Sequence, residues 1–62
     1  MRFDRIKLRS EMAKRDMTQL QLAEKAGLSR STINSIIGGK RCADKTGIKI
    51  CKALNVKPEQ LQ

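Results

Sequence analysis

From Ser29 to Ile37 the chain reads Ser-Arg-Ser-Thr-Ile-Asn-Ser-Ile-Ile, and its residue types divide by helical position. Wound at 3.6 residues per turn, Ile33 and Ile36 share one side, while Arg30, Ser31, Asn34 and Ser35 share the arc facing away. Every residue on that arc hydrogen-bonds, and all except Arg30 are short. Such a face can come close to a surface of fixed donors and acceptors. The edges of base pairs in a DNA major groove are that kind of surface. A guanidinium reaches O6 and N7 of guanine together, a carboxamide pairs with adenine, and hydroxyls bond either with less selectivity. An ordinary solvent-facing helix has a similar composition, so the reading depends on what flanks the segment.

The flanks favour it. Gly38-Gly39 stops the helix, and Lys40-Arg41 follow at once, placed to neutralise phosphates. Upstream, the spacing predicts a helix from Thr18, its cap, to Ala26. Leu22, Ala23 and Ala26 form a compact buried arc and Leu20 lies on the flank. Gly27 takes the left-handed turn, Leu28 plugs the corner, and Ser29 caps the next helix. Two short helices joined by a glycine-containing turn make the unit that sets its second helix into the major groove.

The rest of the chain supplies support. Asp4 predicts the cap of a first helix ending near Arg15, with Leu8 and Met12 on one stripe, Ile6 and Ala13 on another, and arginines between. Asp44 predicts the cap of a fourth helix ending near Asn55, with Ile50, Cys51 and Leu54 inward. Gly47 shares that arc and admits a close neighbouring helix. Pro58 fits the first position of a fifth helix, 58–61, docked by Val56 and Leu61. The expected fold is all-α, a compact bundle of five short helices (about 4–15, 18–26, 29–37, 44–55 and 58–61) forming one domain over residues 1–62.

Composition narrows the function. Fourteen Lys and Arg against six Asp and Glu leave a net charge of +8, which favours a polyanion as partner. The chain has no histidine and no tryptophan, and Phe3 is its one aromatic residue. Its carboxylates are scattered, and no nucleophile–base pair can be built without histidine, so no enzyme is expected. Cys42 and Cys51 cannot complete a zinc site, so no metal or other cofactor is expected. They read as reduced thiols, Cys51 in the core and Cys42 in a loop. The Lys45, Lys49 and Lys52 stripe reads as a solvated helix face. No apolar run approaches a membrane span, and a cytoplasmic, prokaryotic or phage-encoded protein is expected.

With these residues in place, the chain resembles the lambda-repressor-like helix-turn-helix family of the Cro/C1 or Xre type. The matching residues are Thr18-Gln19, Leu22-Ala23, Ala26-Gly27-Leu28-Ser29, Thr32-Ile33, Ile36 and Gly39-Lys40-Arg41, continuing through Lys49–Val56 to Leu61. The resemblance implies a bundle of five helices that binds operator DNA as a symmetric dimer. It implies base reading by Ser29, Arg30, Ser31 and Ser35, with Asn34 close to that face. It implies phosphate contacts from Thr18 and Gln19 at the start of the second helix, and from Lys40 and Arg41. The chain departs from the pattern in three places. Met12 and Ile37 stand where many members pair an arginine with a glutamate, so an apolar contact is expected there. Gly38 stands where a side chain is common, so its phosphate contact would use its amide. Cys42-Ala43-Asp44 replaces a common Pro-Ser entry to the fourth helix.

The expected function is a sequence-specific transcriptional regulator, a repressor, that reads double-stranded DNA with helix 29–37 as a homodimer on a palindromic operator. The leading dimer contact is the end of the fifth helix at Leu61, followed by Leu20. No effector-binding segment is visible, so no small-molecule effector is expected. The alternative is a protein-interaction module on the same fold, an antitoxin or coactivator-like domain.

Overall fold

Each of the first three helices begins where a short polar side chain caps it. The computed structural model describes all 62 residues. Helix α1 spans Arg5–Lys14, and the Asp4 carboxylate accepts hydrogen bonds from the backbone N–H groups of Ile6 (2.9 Å) and Lys7 (3.0 Å). Helix α2 spans Gln19–Ala26 behind a reciprocal cap. The Thr18 hydroxyl accepts from the Gln21 N–H (3.1 Å), and the Gln21 side chain accepts from the Thr18 N–H (2.8 Å). Helix α3 spans Arg30–Ile37, with the Ser29 hydroxyl accepting from the Thr32 N–H at 3.1 Å.

Helix α4, Asp44–Leu54, starts differently from the sequence expectation. Ala43 holds the cap conformation, with no side-chain cap bond, and Asp44 is the first helical residue. Its carboxylate lies 3.5 Å from the Met1 amino group instead. The same amino group donates to the Cys42 carbonyl (2.8 Å), and the Cys42 N–H donates to the Met1 carbonyl (2.8 Å). Gly47 does admit a close neighbour, but that neighbour is the Met1 side chain rather than a helix. The expected fifth helix is a single 3-10 turn, Pro58–Gln60.

Packing follows the apolar arcs. Helix α2 sits between α3 and α4, α1 packs on α3, and the 3-10 turn packs on α4. One core joins Leu8 and Met12, Leu22, Ile33 and Ile36, Ile50 and Leu54. Phe3 and Leu61 seal it from the chain ends, where the Asp4 N–H donates to the Leu61 carbonyl at 2.7 Å. Of the two stripes on α1, the Leu8/Met12 stripe is buried, while Ile6 is 81% exposed and Ala13 is exposed. Leu61 is fully buried, so its side chain is core and not a dimer contact. Cys51 is buried and Cys42 half-buried, and burial pushes both thiols above their ordinary range.

Two carboxylates tie α1 to its charge partners. The backbone N–H of Lys7, with that of Ile6, holds the Asp4 carboxyl below its ordinary value. Glu11 is lowered by its hydrogen bond from Arg15 (2.9 Å) and then by Lys14 (3.0 Å). Both folded-state values lie below the unfolded ones. Their stabilisation is therefore full above the unfolded value of about pH 4 and is lost as pH falls through the folded values. The thermal midpoint should fall as the pH drops below about 4. A chain carrying Asp4→Asn and Glu11→Gln should show a flatter profile in circular dichroism melts.

Candidate nucleic-acid interface

The orientation of α3 is fixed from behind. Ile33, Ile36 and Ile37 are buried at 3% exposure or less, and this turns the opposite arc outward. Arg30, Ser31 and Asn34 are exposed, and Ser35 is half-buried at the edge of the arc. None of these four side chains bonds to another part of the chain, and Arg30 has no ion-pair partner. Their donors and acceptors are free for a ligand. Ser29 is different. Its hydroxyl is engaged twice within the cap, with the Thr32 N–H and with the Thr32 hydroxyl at 2.8 Å.

The corner before α3 has the geometry its sequence requires. Gly27 takes a left-handed conformation (φ 71°), and Leu28 half-buries against the core behind it, its N–H donating to the Ala23 carbonyl at 2.9 Å. The N-terminus of α2 is exposed, and Gln19 there lines a recess shared with Ile37 at the end of α3. There the N–H groups of Gln19 and Leu20 have no acceptor in the chain, as expected in the first turn of a helix. Thr18 and Gln19 are exposed at this end, which carries the positive pole of the helix dipole.

On the far side of α3, Gly38 continues the helical conformation and Gly39 reverses it at φ 99°. The amides of Gly38, Gly39 and Lys40 donate to the carbonyls of Asn34 (2.9 Å), Ile36 (3.0 Å) and Ser35 (3.0 Å). The Gly38 amide expected to meet a phosphate is therefore spent inside the helix end. Lys40 and Arg41 remain, both exposed and without a carboxylate partner. Arg2, which carried no signal in the sequence, also reaches this loop, its Nε donating to the Gly39 carbonyl at 3.1 Å. No cluster of side chains suited to a metal ion is present. No helix is long and apolar enough to cross a membrane.

This arrangement, two helices at a glycine corner with a free polar face on the second, agrees with a family match. Residues 7–62 fit the model of the Cro/C1-type HTH DNA-binding domain. The chain belongs to the Cro/C1-type helix-turn-helix family. A relative, the HTH-type transcriptional regulator PrtR of Pseudomonas aeruginosa, is 41% identical over 56 residues. That match covers 90% of this chain and 22% of PrtR, so the chain spans about a fifth of that relative's length. Among solved structures, the restriction-modification controller protein C.AhdI of Aeromonas hydrophila is similar over 90% of this chain and 86% of that one. Its TM-score is 0.82 and its identity 26%. A hydroxyethylphosphonate dioxygenase carries a similar segment, with a TM-score of 0.86 and 32% identity over all of this chain. That segment is 14% of the dioxygenase chain, and the likeness is of one Cro/C1-type domain's extent.

Within the family pattern, the apolar replacement of the arginine–glutamate pair is visible. Met12 and Ile37 are both buried, and both line one recess between α1 and the end of α3. Hydrophobic packing holds α1 to α3 at this point.

Proposed function

We propose that residues 1–62 act as one DNA-binding domain of a transcriptional regulator, a repressor, that binds a palindromic operator as a homodimer. The observation that carries the reading is the outer face of α3, where Arg30, Ser31, Asn34 and Ser35 hold donors and acceptors with no partner in the chain. In this reading Arg30 takes O6 and N7 of a guanine and Asn34 takes an adenine. Ser31 and Ser35 add weaker contacts. Ser29 adds its contact through the backbone at the helix start, since its hydroxyl serves the cap. Thr18 and Gln19 seat a phosphate on the α2 N-terminus. The names of PrtR and C.AhdI, a transcriptional regulator and a controller protein, support the regulatory role.

The domain measures 24 × 22 × 19 Å, too small to read more than one half-site. Two copies with half-sites about one helical turn (~34 Å) apart solve that problem. Because Leu61 is sealed in the core, Leu20, 45% exposed, is the sequence-derived candidate that remains for the dimer contact.

Selection from a random duplex library near physiological salt tests the proposal. An enriched two-fold-symmetric site is expected, and binding that stays tight only at low salt with no enriched motif would refute it. A second expectation separates positioning from reading. Arg41→Ala should weaken binding to all sequences alike and lower the log–log salt slope by about 0.9 for each bound protomer. A changed site preference in that variant would contradict the assignment.

A further inference from the structure

Three shallow recesses lie end to end along one side of α1. The first is bounded by Arg2, Asp4, Arg5, Gly38 and Gly39. The second lies among Arg5, Ile6 and Arg9. The third joins Arg9 to Met12, Met17 and Ile37, and ends at Gln19. Arg5 belongs to the first and second, and Arg9 to the second and third. A continuous surface therefore leads from Gly39 to Gln19 with three guanidinium groups along it. Its ends are the two places where the proposed DNA reading puts phosphates, the loop after α3 and the start of α2.

The cations on this path are uncommitted. The chain's ion pairs join Glu11 to Lys14 and Arg15, and Asp44 to the Met1 amino group, and none involves Arg2, Arg5 or Arg9. Asp4 is the one acidic side chain lining these recesses, and its Oδ1 already accepts two backbone N–H groups. Gln62 also lines the first recess, where its backbone oxygen accepts from the Lys7 ammonium at 3.2 Å. Arg2 is held in place by its Nε bond to the Gly39 carbonyl, which leaves both Nη groups to donate elsewhere. The Arg5 stem lies across Gly39, where a Cβ would come within 3.1 Å of its Cδ. Arg5 and Arg9 stand one turn apart, about 6 Å along the helix. Meanwhile the loop's own amides from Gly38 to Lys40 are spent on α3 carbonyls. A phosphate at this loop would be held by side chains and by the Arg41 N–H, the one amide from Gly38 to Arg41 with no acceptor in the chain.

We propose that Arg2, Arg5 and Arg9 form a phosphate track that seats the sugar–phosphate backbone of duplex DNA between Gln19 and the Gly38–Arg41 loop. The proposal rests on the major-groove reading of α3. Arginine suits the role because its planar fork bonds phosphate oxygens in pairs and it stays charged at any accessible pH.

The test compares the salt dependence of binding to a duplex carrying one selected half-site, which seats one protomer, for the wild-type chain and for R2Q/R5Q/R9Q. Three lost phosphate contacts should lower the log–log slope by about 2.7. Between 50 and 200 mM salt, the wild-type chain should then lose about 40-fold more affinity than the variant. The preferred site should be unchanged, and R2K/R5K/R9K should restore most of the slope. If the triple variant melts early in circular dichroism, R2Q and R9Q read the same effect singly, at about 0.9 each. An unchanged slope in folded variants overturns the track while leaving the reading of α3 intact. A wild-type chain that selects no duplex site overturns both.

Discussion

Ile33→Ala should remove most of the domain's stability. Ile33 is fully buried at the centre of the side of α3 that faces the core, among Leu22, Ile36 and Ile50. Truncating a buried isoleucine costs about 2–5 kcal/mol through lost transfer energy and the cavity left behind. A chain of this length holds only about 3–9 kcal/mol in total. At mid-range values, about 3.5 of about 6 kcal/mol, the urea midpoint should fall by half or more, and where the cost reaches the total the chain unfolds without denaturant. Ile48→Ala is the control, because Ile48 is 43% exposed and its truncation should move the midpoint little. The consequence for function is direct, since the same residue that anchors α3 turns its polar arc outward.

Arg30→Ala should have the opposite profile, with the fold intact and the sequence preference damaged. Arg30 is exposed at the first position of α3 and has no ion pair, so its loss removes no core contact. A bidentate arginine–guanine contact carries about 1–3 kcal/mol of discrimination against the wrong base. Selection should therefore return a half-site with one guanine position relaxed. The affinity ratio between the original site and its substituted version should collapse by about 5- to 150-fold, that energy expressed as a ratio. The thermal midpoint should stay within a degree or two of wild type. Loss of binding to every sequence alike would make Arg30 a phosphate contact instead.

Local chemistry made much of this legible in advance. Asp4, Thr18 and Ser29 were readable as caps because a cap needs only its own side chain and the next three residues. Gly27 was readable as a corner for the same reason, and the two sides of α3 followed from helical period alone. The misreadings share a different cause. Asp44 gave up its cap to Ala43 and faces the Met1 amino group, which is 43 positions away in the chain. Leu61, terminal and flanked by polar residues, is buried only because Phe3 and α4 close around it. On α1, nothing in the period chose Leu8 and Met12 over Ile6 and Ala13, and the arrival of α3 decided it. Arg2 reaches the loop after α3 through a bond spanning 37 positions, and no local pattern marks such a contact.

The claim that α3 reads bases, and that Arg30 reads a guanine, is most directly tested on the selected half-site by exchanging one ring nitrogen of the DNA for C–H. Substituting 7-deazaguanine at the guanine assigned to Arg30 deletes the N7 acceptor while leaving the Watson–Crick face untouched. The account predicts that wild type loses affinity on this substitution and that Arg30→Ala, already without the contact, loses none further. Equal losses for the two chains would show that Arg30 and that N7 act independently, and would contradict the account.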